Sequence, residues 1–185
     1  MEKDSHEAPR RGGPIKKSIK KHEEITTKKH KRLDNKADYQ HNEKAMKNAI
    51  LEKIKTCLME REEILFAYIL GTFLNTDDFK DIDVAVYLDE EKIKTIDVFD
   101  YEMDLSLELE DRVKPGETFE RYVPIDIKVV NLDCAQVSFR YSVSKGSLLF
   151  SRDEIAREEF LCRTWQEYFD FQYMSNTYLK EVLNG

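Results

Sequence analysis

No stretch of this chain is apolar over the length that a membrane span requires, and no secretory signal is expected ahead of the foldable sequence. Cysteine is sparse: Cys57, Cys134 and Cys162 stand far apart, without the spacing of a metal module. Reduced thiols in a cytoplasmic protein are therefore expected, each serving as a small apolar residue of the core. Residues 1–41 have almost no apolar side chains and cannot bury enough surface to fold alone. All four histidines, His6, His22, His30 and His41, fall in that segment, so histidine is absent from the remainder. The histidines read as a solvated tail before they read as a metal site.

What is present is unevenly charged. Residues 1–47 hold fourteen Lys and Arg against eight Asp and Glu, a balance of +6. With −7 overall, the remaining residues carry −13. A chain of 185 residues has room for one ordinary domain plus a tail, and the expected division is a basic tail over 1–41 and a folded domain over 42–185. Direct contact with nucleic acid is expected only through the tail. Met46 stands where the foldable sequence begins and is a second candidate start.

The informative stretch is ILFAYILGTFLNTDDFKDIDVAVYL, from Ile64 to Leu88. Ile64 to Leu70 is short and wholly apolar or aromatic, and Gly71 stops it, which predicts a buried strand. A second strand follows, in which Asp81, Asp83, Ala85 and Tyr87 alternate with Ile82, Val84, Val86 and Leu88. Period two sends both carboxylates from one face, where they repel unless a proton or a cation intervenes. Magnesium suits the pair, because it takes one or two carboxylates and completes its shell with water and phosphate oxygens. Glycine in the Gly71-Thr72 turn permits close approach of a phosphate, and the threonine hydroxyl can donate to its oxygens.

An isolated Asp-x-Asp is commonly just a solvated strand edge. Here a third acid, Asp126, lies near the start of another apolar strand, PIDIKVVNL over Pro124 to Leu132. An acid in such a strand costs free energy unless it is compensated, and three acids on two strands suit two-metal phosphoryl transfer. Lys128, two residues on and on the same face, either neutralises phosphate or pairs with an acid.

In this order, Gly71-Thr72, Asp81-Ile82-Asp83 and a later Asp126, the chain resembles the minimal nucleotidyltransferases of the polymerase-β superfamily, from about Ala45 onward. Two departures stand out: Thr72 replaces the usual serine, and Phe73 to Lys80 holds no glycine where the family has a longer loop with Gly and Arg. The resemblance implies an α/β fold with a small mixed sheet, helices packed on one side and a long C-terminal helix. It implies two Mg2+ ions held by Asp81, Asp83 and Asp126, which are also the catalytic residues. ATP is the implied substrate, its phosphates gripped by Gly71 and Thr72 with Lys80 assisting. Stand-alone members are often antitoxins that adenylylate a tyrosine of a cognate HEPN-domain RNase toxin, so such a toxin is the implied partner. Transfer to a small molecule such as an aminoglycoside, or inhibition of the toxin by binding alone, are the alternatives.

Around these motifs, Met46, Ile50, Ile54, Cys57 and Leu58 predict an amphipathic helix from Asn42 to about Glu63. Asp89 is expected to cap a short helix, and Ile96, Phe99, Met103 and Leu107 mark a second helical face through about Val113, ended by Pro115-Gly116, with its many acids solvated. Asp133 is expected to cap a helix to Lys145, followed by Gly146 and a short strand over Ser147 to Phe150. Ser151 to Glu154 reads as a capping box that opens a helix to about Val182. That helix carries seven aromatics, more than one face accommodates, and either a crowded core or a partner surface accounts for them.

Overall fold

The structure, a computed structural model, describes residues 42–76 and 78–184. The expectations for the tail over 1–41 lie outside the described residues.

Helix α1 (42–59) leads into strands β1 (Ile64–Ile69) and β2 (Ile82–Leu88). A 3-10 turn (Ile93–Thr95), helix α2 (Val98–Val113) and short helix α3 (Pro115–Phe119) carry the chain to β3 (Ile125–Val129). Helix α4 (Val137–Val143), strand β4 (Ser147–Ser151) and the 31-residue helix α5 (Glu154–Asn184) complete it. The four-stranded sheet has the order β3-β2-β1-β4. β1 is antiparallel to both of its neighbours, whereas β2 and β3 run parallel. A parallel pair needs a crossover, and α2 with α3 provides it.

Period two sorts the strands into two cores. Ile82, Val84, Val86 and Leu88 of β2 and Ile125, Ile127 and Val129 of β3 meet Ile50, Ile54 and Leu58 of α1 and Leu105, Leu109 and Val113 of α2. Helices α1 and α2 thus lie on one side of the sheet. On the other side, Phe66, Tyr68, Ala85 and Tyr87 form a smaller cluster closed by Phe160 of α5. Phe66 stacks on Tyr87 with ring centroids 4.5 Å apart. A register shift between Ile64 and Phe66 explains why these two residues, which simple alternation would put together, face opposite cores.

Several local expectations need correction: of the three cysteines only Cys57 lies in the core, while Cys134 and Cys162 are exposed. The inner face of α2 is Leu105, Leu109 and Val113, while Phe99, Met103 and Leu107 are exposed. Asp97 caps that helix, accepting from the N–H groups of Phe99 and Asp100 at 3.0 and 3.1 Å, while Asp89 accepts from Glu91 and Lys92 N–H at 3.0 Å ahead of the 3-10 turn, the short helix expected there. Nor are all its acids solvated. Ser106 Oγ donates to the Ile125 carbonyl at 2.6 Å, while Glu110 and Glu102 accept from the N–H groups of Ile125 and Val129 at 3.1 and 2.8 Å. One stripe of α2 thereby satisfies the backbone of β3, an edge strand that would otherwise offer open donors and acceptors. Helix α2 ends at Lys114 in the left-handed region (φ 50°), and Pro115 starts α3 instead of only stopping its predecessor. Helix α4 begins after Gln136 rather than at Asp133. At α5, Asp153 makes the cap, accepting from Ala156 N–H at 3.0 Å, and Ser151 closes β4. Strand β3 is confined to Ile125–Val129, within the longer run expected.

Candidate active site

The parallel register of β2 and β3 sets Asp83 directly beside Asp126, and Asp81 stands two residues before Asp83 on the same face. One carboxylate oxygen from each of the three lies within 4.8 Å of the others. Asp81 and Asp83 are half-buried and Asp126 is exposed. Burial pushes the Asp83 carboxyl above the usual carboxylate range, and the charges of Asp81 and Asp126 push it the same way. This all-oxygen donor set fits a hard divalent cation, whose charge would relieve the repulsion.

Gly71 presses on this cluster from β1. Its φ is +73°, and a Cβ placed on it would lie 2.2 Å from Asp83 Oδ2. Only glycine combines that backbone conformation with so close a neighbour. Thr72 is exposed beside it, and its carbonyl accepts from Asn75 and Thr76 N–H at 3.0 and 2.9 Å, which curls the following residues into one turn. Beyond Gly71 and Leu74 a cleft of about 410 Å³ opens toward Ser142, Lys145 and Ser147.

The loop from Phe73 to Lys80 is held without glycine. Phe73 and Phe79 are buried and meet edge to face at 4.8 Å, and Phe119 of α3 packs on Phe79 at 5.0 Å. Lys47 of α1 donates to the Thr76 carbonyl at 2.7 Å, with its ammonium 5.1 Å from the Phe79 ring. Arg121 donates to the Phe79 carbonyl at 2.5 Å, and its guanidinium lies 4.3 Å over the same ring. Two cations and three aromatic rings therefore fix the approach to Lys80 and Asp81.

Residues 52–155 match the polymerase beta nucleotidyltransferase family, more than half of the chain. The chain belongs to that family. Among solved structures it is similar to a crystal structure of a mutant MntA–HpeT toxin–antitoxin, at 18% identity and a TM-score of 0.53, over 72% of this chain and 98% of that one. It is also similar to a crystal structure of a toxin–antitoxin with AMP-PNP, at 19% identity and a TM-score of 0.51, over 74% of this chain and 98% of that one. At these identities the likeness is one of fold. None of the curated proteins matches the chain.

In this nucleotidyltransferase the structure brings together four of the residues singled out in the sequence, the three aspartates and Gly71 against Asp83, while Thr72 is exposed one residue beyond Gly71. Lys80 adjoins Asp81 and is exposed. Lys128 pairs with Glu102 at 2.8 Å, an acid partner being one of its two expected roles. Sequence reasoning missed Lys47, Arg121 and Phe119, which hold the loop, and Lys145 across the cleft. Phe73 and Phe79 at either end of a polar loop were the available signal, since two large aromatics there need a buried seat. Arg121 carried no local signal, because its contact is 42 residues away.

Proposed function

We propose that this chain transfers AMP from ATP to a hydroxyl of a partner protein, a tyrosine of a HEPN-domain RNase toxin, and so acts as an antitoxin. The observation that carries the transfer is the convergence of Asp81, Asp83 and Asp126 with Gly71 packed on Asp83. The partner rests on the family resemblance and on the solved relatives, which are toxin–antitoxin pairs, one of them with a non-hydrolysable ATP analogue.

Asp81, Asp83 and Asp126 would hold two magnesium ions. When bound, the ions neutralise the triphosphate and the charge that develops on it. Gly71 lets the nucleotide come close to the sheet edge, and Thr72 donates its hydroxyl to a phosphate oxygen. Lys80 faces the same charge. Asp126, the most exposed of the three acids, is the group open to an acceptor, and it takes the acceptor's hydroxyl proton as the new O–P bond forms and pyrophosphate leaves. Arg121 and Lys47 act earlier, by keeping the loop where Thr72 and Lys80 meet the nucleotide. Most of the rate in such transfers comes from positioning and charge neutralisation, so a pinned loop serves the chemistry directly.

The deciding experiment incubates the protein with ATP, Mg2+ and the HEPN-type protein encoded beside it, and weighs the partner. A gain of one or more AMP masses on tyrosine is expected, with none from an Asp83→Asn variant. A stable complex without a mass gain would make the chain a binding-only antitoxin. Transfer to an aminoglycoside instead would replace the proposed acceptor.

A further inference from the structure

Lys145 stands across the cleft from Gly71, and among the described residues that line this cleft it is the one cation. The sheet fixes its place. Ile69 of β1 is level with Ser147 of β4, and the chain ahead of Ser147 stays against β1: a Cβ on Gly146 would lie 2.6 Å from Leu70 Cδ2 and 2.7 Å from the Ile69 carbonyl oxygen. Glycine therefore lets the turn bring Lys145 close to the end of β1. The strand order β3-β2-β1-β4 puts the acids and this ammonium on opposite flanks of Gly71. Two strand spacings, about 10 Å, separate β4 from β2.

The other cations around the site are committed elsewhere. Lys47 and Arg121 donate to loop carbonyls, Lys128 pairs with Glu102, and Lys80 adjoins Asp81 on the acid side. Lys145 forms no ion pair among the described residues. Its ammonium lies 4.0 Å from the ring centroid of Tyr141, which is itself stacked on Tyr168 at 3.6 Å. A ring face orients a cation without neutralising it, so the charge stays available to an anion in the cleft. Asn75, Ser142 and Ser147 line the same space with polar groups.

In the proposed transfer the reacting phosphorus lies by the acid cluster, and two arms leave it, a nucleoside and a pyrophosphate. Charge decides which arm turns toward β4, because an ammonium gains most from the anionic one. We infer that Lys145 binds the β- and γ-phosphates of the nucleoside triphosphate, so that the pyrophosphate to be released is gripped across Gly71 from the β4 side while the acid cluster faces the reacting phosphate. This rests on the transfer reading and adds a selectivity to it: a triphosphate makes the contact and a monophosphate loses it.

Calorimetric titration of the full chain with ATP and with AMP, each in the presence of magnesium, tests it. Lys145→Gln keeps most of the side chain and removes the charge. It should weaken ATP binding about ten- to a hundredfold, the worth of one charge-assisted hydrogen bond, and leave AMP binding within about twofold. The circular dichroism spectrum and the melting curve should not change, and Lys145→Arg should restore most of the ATP affinity. Equal ATP affinity in wild type and Lys145→Gln overturns the inference and leaves the transfer reading intact, whereas a wild type that binds no ATP overturns both. A loss of the same size for AMP would put the nucleoside arm in the cleft and overturn the inference as well.

Discussion

Gly71 and Asp83 occupy a space that admits no further atom. Gly71→Ala forces a left-handed alanine and drives its Cβ to 2.2 Å from a carboxylate oxygen, so Asp83 must move. The left-handed backbone alone costs about 1–2 kcal/mol, which lowers the melting temperature by roughly 2–8 °C. Nucleotidyl transfer is expected to vanish while the fold survives, and calorimetry beside a transfer assay checks both. Asp83 carries a second prediction. Its folded pKa is raised, so the folded state favours the protonated acid, and that contribution is present below the unfolded pKa and lost as pH rises through the folded pKa. Asp83→Asn should therefore raise the melting temperature of the metal-free protein near neutral pH, and the gain should shrink as the pH falls into the carboxylate range. A variant no more stable than wild type at neutral pH would mean that burial and the two neighbouring acids impose no cost there. Thr72 distinguishes hydroxyl from shape. Thr72→Val should weaken ATP binding about ten- to a hundredfold, the worth of one charge-assisted hydrogen bond, while Thr72→Ser stays near wild type. Titration with ATP and magnesium separates them.

At the scale of elements, α2 shows how pattern and packing part. Phe99, Met103 and Leu107 repeat every four residues, and so do Leu105, Leu109 and Val113. Periodicity names both stripes and chooses neither. Tertiary packing makes the choice: with Glu102, Ser106 and Glu110 held on the backbone of β3, it is Leu105, Leu109 and Val113 that reach the core. Leu105→Ala should accordingly cost about 2–5 kcal/mol, whereas Leu107→Ala should stay within about 0.5 kcal/mol. Urea melts of the two variants decide which leucine is inside. The loop clamp makes a kinetic prediction. Arg121→Ala removes the hydrogen bond to Phe79 and the cation over its ring, so amide exchange over 73–80 should speed up while that in β2 does not. Its effect on transfer should fall on the KM for ATP and on kcat together, with Arg121→Lys restoring part of both.

For the whole molecule, we propose 42–185 as the folded unit. Removal of residues 1–41 is expected to leave the melting transition of that unit and its transfer activity close to those of the full chain. The unit's sheet is closed on one side by α1 and α2 and on the other by the first half of α5, which leaves the mouth of the acid cluster open at the start of β2 and β3. Among the described residues no helix is long and apolar enough to cross a membrane.

The sequence by itself determined that Asp81 and Asp83 leave one face, that Gly71 ends a buried strand, and that a third acid heads a later strand. These are consequences of backbone geometry and of glycine's missing side chain, and they hold wherever the strands are placed. Only the tertiary structure decided that β3 runs parallel to β2 with Asp126 level with Asp83, because strand adjacency depends on the crossover through α2 and not on any residue's local preference. It likewise decided which stripe of α2 is buried, and that the later aromatics of α5 belong to no core of this chain. Helical spacing states which side chains share a face, while what lies against that face is set by how far the sheet and α4 extend beneath it, and that support ends near Tyr168, stacked on Tyr141 of α4.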